Sequence, residues 1–465
     1  MTTANRHRLS PALTAFPAPG VYDAPHMITL LCDQEGAEIH YTRDGSAPTL
    51  DSPIFDPYVL IPLEQFGEEV PEDKRSYTLR AIAVAGDQVS DEAVFRYDIE
   101  PRDRDSFVSE EILPGVRLIR DFENNKMYLV TGSERALLID AGMSTGDLRG
   151  YVLALTGDLP LDVCITHGHP DHVAAMGQFQ ADHAVYMHPA DMPLLQRFKE
   201  HLNFDIDLSA VRPIDEGFVF DLGYRRLTVY HIPGHSKGCL ALLDEPSGIL
   251  LAGDAIGSNG PTIVDALWLQ MSADGVDDYL SALQVFRSKV AGRIRYICGG
   301  HGARYLEGEA YLDNLQEAAQ QLIDLGPGTL VPSPRPAGVW KSVCGDRLTD
   351  PNWASINVHR DTCLSAPPDA IATLSNLQVK GATMVEPFKP QRLDYTATLQ
   401  QTGAVEIIAT AMSRRHAALT VDGKQATSGQ PFRVALTGDP QTVTIEVVAP
   451  DGETTNGYTL SVTRG

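Results

Sequence analysis

No stretch of the 465 residues approaches 18 uncharged apolar positions in a row, the least that a membrane-crossing helix requires. Positive charge is also scarce. Lys and Arg number 37 against 61 Asp and Glu, a net charge of −24, which opposes nonspecific attachment to nucleic acid or to an anionic lipid surface. Neither a nucleic-acid partner nor a membrane is therefore expected. The six cysteines include no C-x-x-C pair. Cys164 and Cys298 lie in apolar strand-like runs and are expected as buried free thiols. Cys344 and Cys363 share a loop-rich segment, and a bridge between them is the alternative that the compartment rule disfavours. The opening MTTANRHRLSPALTAF has no apolar core of leader length, so the cytoplasm is the default location expected, with an extracellular one as alternative.

What is present is a normal hydrophobic share, 43%, with 39 glycines and 31 prolines that point to many turns and short strands. The length calls for more than one core, and three blocks are expected: 1–102, 103–365 and 366–465. In the first, MITLLC, EIHYTRDGSAPT, YTLRAIAVAG and EAVFRYDIE alternate apolar and polar residues between Gly, Asp and Pro turns, the pattern of a small antiparallel sandwich. YTRDGSAPT followed by YTLRAIAV resembles the chitobiase C-terminal-type module. In the last, LSNLQVKG, LDYTATL, VEIIATA, PFRVAL, TVTIEVVAPDG and GYTLSVTR repeat the alternation and resemble the bacterial cadherin-like sandwich. Neither flank shows a catalytic constellation; carbohydrate binding or oligomerisation is what such modules would bring.

The middle block mixes strands (KMYLVTG, RALLIDAG, RLTVYHIPGH, GILLAGD, IRYICGGH) with helix patterns (TGDLRGYVLAL, GVDDYLSALQVFRSKV), so a layered α/β domain is expected. GPGTLVPSPRPAGVW reads as loop, and WASINVHRDTCL as a returning strand whose His359 is a surface residue. After the apolar run LPLDVCI comes THGHPDHVAAM, with His167, His169, Asp171 and His172 at a strand end and HVAAMGQF read as a helix start. Alternation lets His167 and His169 face one point while Asp171 and His172 diverge toward a second. His235, Asp254 and His301 each close a further apolar strand beside glycine. Imidazole and carboxylate are the donors that zinc and similar cations accept.

With this ligand set the middle block resembles the metallo-β-lactamase superfamily, whose fold is an αββα sandwich with a metal pair held in its loops. The whole chain is thus read as α/β multidomain, with an all-β sandwich at each end. Carried over position by position, the resemblance puts His167, His169 and His235 on one metal. It puts Asp171, His172 and His301 on the other, with Asp254 bridging both. Two divalent ions are implied, zinc foremost and manganese or iron as alternatives. Flavodiiron-type members carry Glu where this chain has His169, and the lactamases proper lack an aspartate at Asp254. A mononuclear iron dioxygenase would leave His172 and His301 idle.

Paired cations share a hydroxide that is available near neutral pH, and Asp171 is positioned to shuttle protons. The expected function is cleavage of a small ester, thioester or lactone by that hydroxide. The alternatives are a small phosphodiester substrate and a non-catalytic scaffold with a degenerate hydrolase domain. The pattern is similar to glyoxalase II and to acyl-homoserine lactonases. However, Gly257 stands where the lactonases place a tyrosine, and the chain turns to a β-sandwich where glyoxalase II adds helices. Phe198, Phe204, Leu267, Trp268 and Met271 are candidate walls for a small-molecule substrate.

Overall fold

The computed structural model describes residues 12–22, 27–34, 36–55, 61–63, 75–86, 88–100, 103, 105–144, 146–259, 266–269, 275–332, 339–345, 350–359, 363–400 and 403–464. Near the N-terminus, Leu13–Phe16, Met27–Cys32 and Ile61–Pro62 form one sheet. Gly20–Tyr22, Ala93–Ile99, Arg75–Ala85 and Glu38–Thr42 form the other, with Gln88–Val89 as a side branch. Their inward residues, among them Ile28, Leu79, Phe95 and Tyr97, make one small core.

The middle of the chain stacks two sheets. The first runs in the spatial order Val211–Pro213, Ala184–Met187, Leu161–Cys164, Ala136–Ile139, Lys126–Thr131, Val116–Arg120, Val108–Leu113. Its central pairs are parallel and its far pairs antiparallel. The second runs Val219–Asp221, Arg226–His231, Leu240–Asp244, Ile249–Gly253, Tyr296–Gly299, Leu306–Glu307. Facing residues such as Tyr128, Val130 and Ile139 from one sheet meet Leu227, Leu240 and Leu251 from the other. Strands buried on both sides read as unbroken apolar runs, which is why ALLI and ILLAG carry no alternation.

Helices cover the outer faces. On the first sheet lie α1 (Leu148–Thr156), the single turn α2 (Pro170–Val173) and α3 (Met192–Leu202), packing through Leu148, Val152, Val173 and Leu195. On the second lie α4 (Val276–Val290) and α5 (Ala310–Leu325). A four-stranded sheet of Leu267–Trp268, Ala354–His359, Val339–Cys344 and Val331–Pro332 then packs over α5. Helix, sheet, sheet, helix is the αββα order.

HVAAMGQF departs from expectation. Instead of a continuous helix it gives the end of α2 and a 3₁₀ turn, Met176–Phe179. The chain crowds Asp205 there, since a Cβ on Gly177 would stand 1.7 Å from the Asp205 carbonyl oxygen. GPGTLVPSPRPAGVW is not all loop: Pro327–Thr329 is a 3₁₀ turn and Val331–Pro332 a short strand, while 333–338 lie outside the described residues. The returning strand is Ala354–His359, and His359 is exposed. All six cysteines are free, and Cys164, Cys239, Cys298 and Cys363 are buried.

The C-terminal sandwich pairs Leu374–Lys380, Ala404–Ala411 and Pro431–Ala435 against a six-stranded sheet built around Gln441–Val448 and Thr455–Arg464. Ala404–Ala411 alternates partly and fully buried positions throughout, the period-two signature of a sheet with one face inward. No described helix is long and apolar enough to cross a membrane.

Candidate metal centre

Leu161–Cys164 is a buried central strand of the first sheet. Past its end the chain stays extended through His169 (φ −77°, ψ 153°), and Pro170 then opens α2. Extended backbone points His167 and His169 to one side, and the helical turn swings Asp171 and His172 to another. Arg226–His231, Ile249–Gly253 and Tyr296–Gly299 of the second sheet deliver His235, Asp254 and His301 from the facing side. Glycine makes the convergence sterically feasible at two points. Gly253 has φ +47° and a Cβ there would meet Thr166 Oγ1 at 2.3 Å; a Cβ on Gly300 would lie 2.1 Å from Asp254 Oδ1.

The seven side chains meet as two adjoining groups. In the first, His167 Nε2 and His169 Nδ1 are 3.0 Å apart. His169 Nδ1 is 2.7 Å from His235 Nε2, and His235 Nε2 is 3.2 Å from His167 Nε2. The outer nitrogens fix the tautomers. His235 Nδ1–H donates to the Trp268 carbonyl at 2.8 Å. Thr166 Oγ1 gives its proton to Asp140 Oδ2 and so receives one from His167 Nδ1, 3.2 Å away. His167 Nε2 and His235 Nε2 therefore turn lone pairs inward, onto each other, an arrangement that repels unless a cation lies between them.

In the second group, His301 Nε2 lies 3.2 Å from Asp171 Oδ2 and 3.4 Å from Asp254 Oδ2. His172 Nε2 lies 3.6 Å from each of the same two oxygens. His172 Nδ1–H donates to Asp140 Oδ2 at 2.8 Å. Its Nε2 is buried without a hydrogen-bond partner among the described residues, as is Asp254 Oδ1. Asp254 Oδ2 is also 3.5 Å from His235 Nε2, so this one carboxylate touches both groups. The donor set, the orphaned atoms and the inward lone pairs fit divalent cations.

The groups hold protons oppositely. Burial, then the neighbouring histidines, hold His167 well below the usual imidazole range. Burial and His235 bring His169 to about 3. Burial also opposes charge on His301, but Asp254 and Asp171 outweigh it and lift His301 to about 10. His172 is raised likewise against burial by Asp140, Asp171 and Asp254. Burial disfavours charge on Asp171 and Asp254, yet His172 and His301 hold both carboxyls below the usual range.

Supporting residues escaped the sequence reading. Asp140, in the left-handed region at φ 65°, accepts from Thr166 N (2.7 Å), Thr166 Oγ1 (2.9 Å) and His172 Nδ1. It closes the apolar strand Ala136–Ile139, the same signal that marked Asp254. Asp191 accepts from Gly168 N, Ser236 Oγ and Gly238 N at 2.9, 2.6 and 2.7 Å, tying the two histidine loops together. It sits in a 3₁₀ turn and gives no sequence signal. Lys126 Nζ is buried and donates to the His301 and Ala303 carbonyls.

Of the expected walls, Phe198 stacks edge-on to His169 with centroids 5.8 Å apart. Phe204 packs against the core under the first sheet, and Leu267 is wholly buried beside α5, so both are core residues. Trp268 is half-buried and contributes its carbonyl to His235; Met271 lies outside the described residues. A third histidine and carboxylate group, His188, Asp215 and His231, is also present. There His188 Nδ1 accepts from Ala190 N, so Nε2 keeps its proton and donates it to Asp215 Oδ1 at 3.2 Å. That nitrogen has no lone pair for a cation.

A family model described as the metallo-beta-lactamase superfamily matches residues 120–301. Acyl-coenzyme A thioesterase MBLAC2 of Gallus gallus is 31% identical over 206 residues, 38% of this chain and 71% of that protein. The chain belongs to the metallo-beta-lactamase superfamily. The Homo sapiens acyl-coenzyme A thioesterase MBLAC2 is 29% identical over 212 residues, 38% of this superfamily member and 72% of its own length. Hydroxyacylglutathione hydrolase of Bdellovibrio bacteriovorus is 26% identical over 143 residues, 30% and 52% of the respective chains. Chitobiase/beta-hexosaminidase C-terminal and cadherin-like beta sandwich models match 17–96 and 374–465. This member of the superfamily is a hydrolase.

Proposed function

We propose that the chain is a dinuclear, metal-dependent thioesterase acting on a small acyl thioester. The observation that carries this is the position of Asp254 Oδ2, within reach of donors from both groups. His167, His169 and His235 would hold one cation; Asp171, His172 and His301 would hold the second; Asp254 would serve both. Nitrogen and carboxylate donors in this mixture suit zinc, with manganese and iron accepted as well. Bound there, the cations supply Lewis-acid polarisation of the scissile carbonyl and make water nucleophilic near neutral pH.

The chain's residues do the rest. Asp171, with a side chain 31% exposed against 12% for Asp254, has its carboxylate at the mouth of the cleft. Asp171 Oδ2 takes the proton of the attacking water as the bond to the acyl carbon forms and the carbon–sulfur bond breaks. A thiol has a pKa of about 8.5, so its thiolate departs with little help, whereas an alkoxide must be protonated as it leaves. Such a centre suits sulfur as the leaving atom, in agreement with the thioesterase relatives. The Phe198 ring keeps water from the His169 side.

The test is metal analysis of zinc-loaded protein combined with turnover of thioesters, aryl esters and bis(p-nitrophenyl) phosphate. Two equivalents per chain and thioester turnover that disappears on chelation are expected. Less than one equivalent, or phosphodiester turnover alone, would refute the assignment.

A further inference from the structure

In the strand Ala354–His359, alternate side chains take opposite faces. Ala354, Ile356 and Val358 enter the core with Leu315, Ala318 and Leu322 of α5. Ser342, paired with Ile356, donates to the Ala318 carbonyl at 2.6 Å. Ser355 and Asn357 therefore face away from α5. Both are 0% exposed, yet Ser355 Oγ and both ends of the Asn357 amide have no hydrogen-bond partner among the described residues. Ser258 Oγ, four residues beyond Asp254, is buried and unpartnered too.

These orphaned groups connect to the metal centre by short paths. Asn357 pairs with Trp268, whose carbonyl receives His235 Nδ1–H. The turn holding Ser258 touches the same sheet: a Cβ on Gly257 would stand 2.5 Å from Leu267 Cα, and the Asn259 amide donates to the Pro351 and Trp353 carbonyls. A buried polar atom without a partner opposes folding, and natural folds keep few of them without a use.

We propose that Ser258, Ser355 and Asn357 form a subsite for a secondary amide carried by the substrate beside its thioester. A carboxamide offers a donor and an acceptor side by side in one plane. A simple anion would leave Oδ1 unpaired and a cation would leave Nδ2 unpaired. Another amide satisfies both, its carbonyl accepting from Nδ2–H and its N–H donating to Oδ1, with the serine hydroxyls completing the carbonyl's partners. The subsite deepens the thioesterase reading and rests on it for its place in the reaction.

The test measures binding without turnover, so failure of the thioesterase reading shows separately in the activity assay. The probe is N-[2-(ethylthio)ethyl]acetamide, an uncleavable thioether amide, against the ketone in which CH₂ replaces its N–H. Calorimetric titration should show the zinc-loaded enzyme preferring the amide by about tenfold, as befits a hydrogen bond closed in a buried site. Asn357→Leu should bind both probes equally. Its melting temperature should match or exceed that of the parent, because an orphaned amide has been removed, and this separates lost recognition from lost folding. Equal affinity of the parent for the two probes, binding of neither, or a preference that survives Asn357→Leu would overturn the proposal.

Discussion

His169 at about 3 and His301 at about 10 sit in adjoining halves of one centre, and the contrast has a thermodynamic consequence. Without metal, the three-histidine group is neutral at pH 7, whereas His301 and His172 are protonated. A cation entering the second group must displace those protons. Its affinity should therefore rise as pH climbs from 6 toward 10, the raised pKa of His301, while affinity at the first group stays flat across that window. Titration calorimetry in buffers of different ionisation enthalpy should find proton release only with the more weakly bound equivalent. Release with both would contradict the charge assignment. Asp140→Asn removes the anion that receives His172 Nδ1–H and Thr166 Oγ1–H; a loss of about 10–100-fold in affinity for the second cation is expected from competition with a chromophoric chelator. The seven converging side chains were legible because each follows an apolar strand, and Asp140 was legible by the same rule. Asp191 was not, because it acts through backbone N–H groups that any residue type supplies.

Elements were legible where their burial is one-sided. The alternation in Ala404–Ala411 and the helical stripe of α4 both mark a single inward face. The helix α5 went unread, although it is the longest among the described residues. Its inward face is apolar through Leu312, Leu315 and Leu322 but also buries Gln320 and Asp324. These polar residues make sense only beside their partners, the Met412 carbonyl and Arg414. At HVAAMGQF the opposite happened: local propensity favoured a helix, and close approach of Asp205 allowed only short turns. Gly177→Ala puts a methyl group against the Asp205 carbonyl oxygen. A destabilisation of roughly 1–3 kcal/mol is expected, read from chemical denaturation of the variant and its parent; an unchanged midpoint would show that the 205 loop yields freely.

At the scale of the whole molecule, the C-terminal sandwich is joined to the catalytic layers through α4 and α5. Ser281 Oγ donates to the Ser375 carbonyl at 2.7 Å and Ser375 Oγ to Gln284 at 2.5 Å. Arg414 spans Asp324 (2.7 Å) and Glu317 (3.0 Å), and Met412 is wholly buried in the core built around α4 and α5. Nothing in the alternating pattern of the sandwich announced this attachment, because the contacts come from its loops and first strand rather than from its repeat. Ending the chain at residue 365 should therefore uncover apolar and paired polar surface on both helices and lower the melting temperature by roughly 5 °C or more. Retention of the parent's melting temperature would show that the sandwich is merely tethered.

Near its N-terminal end α5 secures the turn that follows Asp254, through the Tyr311 hydroxyl and the Ile256 carbonyl at 2.9 Å. Toward its other end it carries the residues that grip Arg414 and Met412. Loosening at one end is thus felt at the other, which makes the catalytic layers and the C-terminal sandwich a single cooperative unit. Differential scanning calorimetry of residues 103–465 should record one heat-absorption peak, with metal release and sandwich unfolding coinciding beneath it.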